Sequence, residues 1–269
     1  MSTAVPHRRW IVLGGGVGPM AGLALHQAII QQTITDGRDQ SHLSVIHVSV
    51  PRQIPDRTEY LLGTVQQNPG TPMAHLVAGA VRQVPPEGLP ALVAVPCNTF
   101  HAPEIVTAFE AELQKLLPPP LENQLEFVNM VHTTVTGVAR LAGNAPGAAG
   151  GPRKVGVLST TGTRTVGLYE RVLASVGLDA LQVPQEEQPR LHDAIYNLTW
   201  GLKAVSPPDA RAVKLVEHYA GMLVDAGAVA LVLACTELPL ALGTPQFCGV
   251  PVIDPLRVLA AQLVQKAQA

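Results

Sequence analysis

"VAVPCNTFHAPE" (residues 93–104) sets an apolar, β-prone run against a proline, a cysteine, an asparagine and a threonine. "ALVLACTELPLAL" (residues 230–242) does the same, so a strand ending in a small polar group and a thiol occurs twice. Around these stretches lie further continuous apolar runs, at 10–14, 43–50 and 125–131 in the first half and 154–159, 180–183 and 250–254 in the second. Runs that do not alternate with polar residues read as strands covered on both faces.

Helical signals separate the runs. After Pro103, Ile105, Phe109, Leu113 and Leu116 recur on one face until the prolines of "LPPPL". In the second half "SPPD" predicts a helix start with Ser206 as cap. Val213, Val216, Ala220 and Leu223 then line one face up to Gly227. Strand alternating with helix predicts parallel sheets. The fold class expected is therefore α/β, with two similar parallel-sheet domains related by an approximate two-fold and a site in the cleft between them. The glycine- and proline-rich segment 141–154 suits the connection. The expected domains are 8–131 and 132–254, with the last helix, 255–269, packed back on the first domain and the helix after residue 131 packed on the second.

Composition narrows the function. Among 269 residues 47% are hydrophobic and 14% charged, with a formal net charge of −2, which argues against a nucleic-acid surface. No apolar run reaches the ~18 residues of a membrane span. Arg8 and Arg9 before an apolar run imitate an export signal, but glycines interrupt the run. The three cysteines, Cys97, Cys235 and Cys248, cannot all pair, and none lies in a C-x-x-C. The expectation is a cytoplasmic protein without membrane or nucleic-acid partner that acts on a small molecule.

In parallel sheets ligands sit beyond the carboxyl ends of strands, where Cys97 and Cys235 both fall. Facing halves would present two thiols to one cleft. A helix starting after each cysteine would lower the thiol pKa and cradle a carboxylate. One thiolate could then remove a proton from a carbon while the opposing thiol returns one to the other face, which is two-base racemisation or epimerisation without a cofactor. The bland reading is that both are inert core cysteines, and matching strand ends weigh against it. Cys248, in "PQFCGVP", keeps that bland reading.

Six stretches in order, "GGVGPMAG" (15–22), "QIPDRTEYLLG" (53–63), "VPCNTFHA" (95–102), "TTGTRTVGLYE" (160–170), "EEQ" followed by "DAIY" (186–196) and "ACTELPL" (234–240), resemble the aspartate/glutamate racemase superfamily. "IPDRT" is similar to its aspartate racemase branch. The resemblance covers residue 10 to the last helix. It implies a cofactor-independent, two-domain enzyme, commonly a homodimer, whose substrate is an amino acid bound between the domains. It makes Cys97 and Cys235 the acid/base pair, and Asn98, Thr99 and Thr236 the groups that hold the substrate's amino and carboxylate ends. Arg57 would bind an acidic side chain. Gly18 would let the backbone approach the substrate, and Thr161, Arg52 and Arg190 are further substrate-binding candidates.

The chain also departs from the family pattern. A lysine after "EQ" is replaced by Pro189, with Arg190 next; Val50 and Pro51 precede an additional Arg52; Phe100 stands where a small residue is usual. These leave open a racemase of broader specificity, a superfamily decarboxylase or cis-trans isomerase, and a non-catalytic amino-acid binder.

Other signals are set aside. Gly16, Gly18 and Ala21 imitate a dinucleotide fingerprint, but the second strand ends in Val50 and Pro51 rather than an acidic residue. Cys97 and His101 have no second pair of metal ligands near them, so no metal site is expected. No lysine stands in a recognisable Schiff-base setting. His101 and His132 read as hydrogen-bonded structural residues, and Asp254 as a helix cap.

Overall fold

The structure is a computed structural model describing residues 8–117, 119, 125–143 and 153–269; most of the connecting segment 141–154 lies outside the described residues. The chain builds two sheets. β1 (Ile11–Gly15), β2 (Val45–Ser49), β3 (Ala91–Ala94) and β4 (Leu125–Phe127) pair in the order β2-β1-β3-β4, all parallel. β5 (Arg153–Ser159), β6 (Leu178–Leu181), β7 (Ala230–Ala234) and β9 (Val250–Ile253) repeat it as β6-β5-β7-β9. A short antiparallel edge strand, β8 (Gln246–Phe247), is added beyond β9. The shared order fits the α/β class with two related halves read from the sequence.

The helices are α1 (Pro19–Gln32), α2 (Arg57–Leu61), α3 (Gly70–Val81), α4 (Pro103–Leu116), α5 (Met130–Gly143), α6 (Thr161–Thr165), α7 (Leu168–Ala174), α8 (Gln188–Tyr196), α9 (Ala210–Asp225) and α10 (Pro255–Gln268). They cover both faces of each sheet, which explains the continuous apolar strands. On β1, Val12 turns towards α3 and α4, whereas Ile11 and Leu13 turn towards α1 and α10. On β7, Leu231 and Leu233 face α8 and α9, while Ala230, Val232 and Ala234 face α5 and α7.

Two sequence expectations change in detail. The run 125–131 stops being a strand at Phe127. There Asn129 Oδ1 accepts from the Val131 and His132 amides at 3.0 and 3.1 Å and starts α5. The second-half helix starts at Ala210, not within "SPPD", and its cap is Asp209, which accepts from the Arg211 amide at 2.7 Å, rather than Ser206.

Helices cross between the halves. α10 follows β9 of the second sheet but buries Leu256, Leu259 and Leu263 with α1 and the first sheet. At roughly 1.5–3 kcal/mol for each fully buried leucine, that docking is firm. α5 follows β4 of the first sheet but packs Val131, Val135 and Val138 on the second. The two helices meet where Gly137 leaves room for Val258.

Candidate active site

Loops from the carboxyl ends of β1, β3, β5 and β7 converge on one narrow pocket. Its walls include Val17, Arg57, Cys97, Asn98, Thr99 and Thr160. Tyr196, Lys203, Cys235, Thr236 and Glu237 complete it. Only about 10 Å³ is open to the centre of a water-sized sphere, roughly the room one water needs. In this conformation the pocket has no room for a ligand larger than a water molecule.

On the first-half side, β3 ends at Ala94 and the chain turns through Pro96 to Cys97. Asn98 is fixed by Tyr169, whose hydroxyl donates to Asn98 Oδ1 at 2.6 Å. Asn98 Nδ2, also buried, has no partner among the described residues. Thr99 Oγ1 bonds Thr163 Oγ1 at 2.8 Å and approaches Thr160 Oγ1 at 3.4 Å, so a hydroxyl cluster ties this loop to the start of α6. Arg57 is buried at the start of α2. Its guanidinium donates to the carbonyls of Val17 and Pro55 at 3.1 and 3.2 Å, and Nε has no partner. Burial works against the Arg57 charge, but Cys97, Tyr196 and Asp56 together outweigh it and hold the guanidinium protonated. Unpaired buried donors are costly, and both belong to residues that line the pocket.

On the second-half side, Cys235 Sγ donates to Glu237 Oε2 at 3.1 Å, and the Thr236 hydroxyl donates to the same oxygen at 3.2 Å. Glu237 Oε1 pairs with Lys203 Nζ at 2.9 Å. Burial pushes the Cys235 thiol well up, and the Glu237 charge adds to it. Burial also opposes the Glu237 charge, but Lys203 and the hydrogen bonds from Cys235 and Thr236 keep the carboxylate ionised. Tyr196 bridges the halves by donating to Asp56 Oδ2 at 3.2 Å, while Asp56 Oδ1 caps α2.

Of the residues singled out in the sequence, Cys97, Cys235, Arg57, Asn98, Thr99 and Thr236 border this pocket. Gly18 lies just behind it. Its φ of 114° suits glycine, and a Cβ there would come within 2.5 Å of Glu237 Oε1, so it makes room for that carboxylate. Thr161, Arg52 and Arg190 are not brought to the pocket. Thr160 is the wall residue, turned inward as the cap of α6, while Thr161 is the first helical residue and meets His192. Arg52 is exposed beside Pro51. Arg190 lies on the outer face of α8, paired with Glu187 at 3.4 Å.

The departures Pro189, Phe100 and Val50 do not line the pocket either. Phe100 is buried in the core against Phe109, and Pro189 borders a different, outer depression. The expected helices directly behind the cysteines also differ. Short 3₁₀ turns, Thr99–His101 and Leu238–Leu240, follow them, and no helix of useful length begins at Cys235. Asp254 caps α10 by accepting from the Leu256 amide at 2.9 Å.

Sequence reading missed Thr160, Tyr196, Lys203 and Glu237. Glu237 was visible in "CTELP", two residues after the thiol, and an acidic residue so near a candidate acid/base group was its signal. Lys203 had none, because it comes from the loop between α8 and α9.

No helix among the described residues is long and apolar enough to cross a membrane. The fold is similar to aspartate racemase from Picrophilus torridus, with TM-score 0.69, 22% identity and coverage of 96% of this chain and 94% of that one. It is also similar to an aspartate racemase homologue from Pyrococcus horikoshii OT3, with TM-score 0.64, 18% identity and coverage of 97% and 100%. A glutamate racemase from Francisella tularensis subsp. tularensis SCHU S4, in complex with D-glutamate, gives TM-score 0.61, 15% identity and coverage of 97% and 81%. At these identities the likeness speaks for the fold. The sequence itself matches the Asp/Glu/hydantoin racemase family over residues 15–263, and the chain belongs to that family.

Proposed function

We propose that the protein racemises amino acids at Cα by a cofactor-independent two-base mechanism, with acidic substrates such as aspartate or glutamate favoured. The observation that carries the reading is that Cys97 and Cys235, from strand ends of opposite halves, border one pocket. In the thiolate form one sulfur takes the α-proton. The C–H electron pair is left on Cα and spreads into the substrate carboxylate, and the other thiol delivers its proton to the opposite face.

The polar walls fit the remaining needs. Asn98 Nδ2 and the hydroxyl of Thr99 are donors for the α-carboxylate as charge develops on it, while the Thr236 hydroxyl, which donates to Glu237, offers its oxygen as an acceptor for the amino group. Arg57 and Lys203 are the two cations of the pocket and suit a second, distal carboxylate. Residues 8–131 with 255–269, and 132–254, would act as the two domains whose separation admits the substrate. The narrowness of the pocket supports that movement.

The experiment is proton NMR of L-aspartate, L-glutamate and L-alanine in deuterated water with the unaltered protein. The expected result is loss of the α-proton signal with appearance of the D-enantiomer for an acidic amino acid. Alanine should be slower by about a hundredfold or more, since a buried charge pair is worth roughly 2–5 kcal/mol. Absence of exchange with any amino acid would sink the proposal, and equal rates for alanine would remove the acidic preference.

A further inference from the structure

Glu237 and Lys203 form a pair whose two members differ in freedom. The Glu237 side chain is 5% exposed, accepts from the Cys235 thiol and the Thr236 hydroxyl, and occupies the space that a side chain at Gly18 would take. Lys203 is carried by the loop between α8 and α9, its side chain is 24% exposed, and its ammonium lies 5.1 Å from the centroid of the Tyr196 ring. A flexible lysine on the rim of a pocket changes partners by a change of rotamer.

We infer that Lys203 is shared between Glu237 and the distal carboxylate of an acidic substrate, and that its transfer to the substrate frees Glu237 to accept the Cys235 thiol proton. The inference rests on the racemase reading above. The Cys235 S–H bond breaks and leaves its electron pair on sulfur, and the proton joins a lone pair of Glu237 Oε2. The two groups together carry one negative charge before and after. While Lys203 sits on Glu237, the ammonium makes the carboxylate a weak base and the buried thiol keeps its proton. Once the lysine turns to the substrate, an ionised Glu237 in its enclosed position is costly. Moving the proton onto it places the negative charge on sulfur, at the wall of the pocket. A neutral amino acid leaves Lys203 where it is, so Cys235 stays a thiol. Specificity would then reside in activation of the base as well as in binding.

The test uses the chain carrying Cys97→Ser and Cys248→Ser, in which Cys235 is the one remaining cysteine. Its thiolate is followed by ultraviolet absorbance, with succinate as a dicarboxylate that cannot racemise and butyrate as its monocarboxylate control. Succinate should raise the thiolate fraction about tenfold, the effect of a one-unit pKa change, and butyrate should not. Glu237→Gln in the same background should bind succinate by calorimetry without the rise. The idea is overturned by an equal rise in that variant, by a rise with butyrate, by bound succinate without a rise, or by no succinate binding. The succinate–butyrate comparison needs no change at Glu237 and decides even where that variant does not fold. α-Proton exchange by the unaltered protein separates the two readings. Exchange without the succinate response removes only the sharing of Lys203, and the response without exchange removes only racemisation.

Discussion

The loop after β3 and the loop after β7 share a plan but not a charge environment. Each leaves a buried parallel strand and presents a cysteine, three residues beyond β3 and one residue beyond β7, followed by polar residues. Around Cys97 stand a buried guanidinium, Arg57, and neutral groups, Asn98 and the hydroxyl cluster of Thr99, Thr160 and Thr163. Around Cys235 stand a buried carboxylate, Glu237, and its lysine. Duplicated strand order thus repeats the backbone positions of two thiols, while the side chains beside them make the two chemically unequal. For a two-base reaction the inequality is useful, because one sulfur must lack its proton while the other carries one.

The comparison breaks most directly at the sulfurs. Cys97→Ser and Cys235→Ser should each lower racemisation of the acidic substrate by about a hundred- to ten-thousand-fold, the usual weight of a general acid or base. α-Proton exchange measured from each enantiomer separately should become unequal, in opposite senses for the two variants. Identical behaviour of both variants would mean that the surroundings do not distinguish the thiols.

His101 sharpens the comparison through stability. Four residues beyond Cys97 it is wholly buried, bonded through Nε2 to the Val95 carbonyl at 3.2 Å and stacked on Phe127; the matching position beyond Cys235 is Pro239. Burial, against a weaker contrary effect of the Val95 hydrogen bond, lowers its pKa to about 4 from 6.5. Because the unfolded chain then binds the proton first, the stability due to neutral His101 is full above pH 6.5 and falls as pH drops towards about 4. The loss should be about 3 kcal/mol across that window. His101→Phe should flatten this part of a denaturant-midpoint profile against pH, and an unchanged slope would assign the acid sensitivity elsewhere.

Gly18→Ala tests the second loop from behind. The new methyl would strike Glu237 Oε1 at a backbone angle that disfavours side chains, at a cost of about 1–3 kcal/mol. Catalysis should fall more from the enantiomer that needs Cys235 as base. The smallest effect is expected at Tyr169→Phe, which removes the 2.6 Å bond to Asn98 and should cost about 1 kcal/mol in stability with a modest rise in KM. A loss of kcat alone in that variant would place Asn98 closer to the chemistry than to binding.

The sequence by itself determined the parallel strands apart from their ends, the repetition of the plan and the strand-end positions of both cysteines, but not the short edge strand β8. Each rests on contiguous residues whose apolar runs and turn signals act locally. Arg57, Asn98, Thr99 and Thr236 were singled out through the resemblance of the motifs that contain them to the racemase superfamily, and all four border the pocket. Cations and caps separated along the chain were not legible. Arg190 and Lys203 lie in the same stretch of chain, and only the turning of α8, which buries Leu191, Ala194 and Ile195, sends Arg190 outward. The following loop brings Lys203 back to Glu237. Likewise Thr160 rather than Thr161 faces the pocket because the α6 cap points it inward. Tertiary structure decided which charge accompanies which thiol, since ion pairs and hydrogen bonds between distant loops depend on how two sheets and their exchanged helices pack.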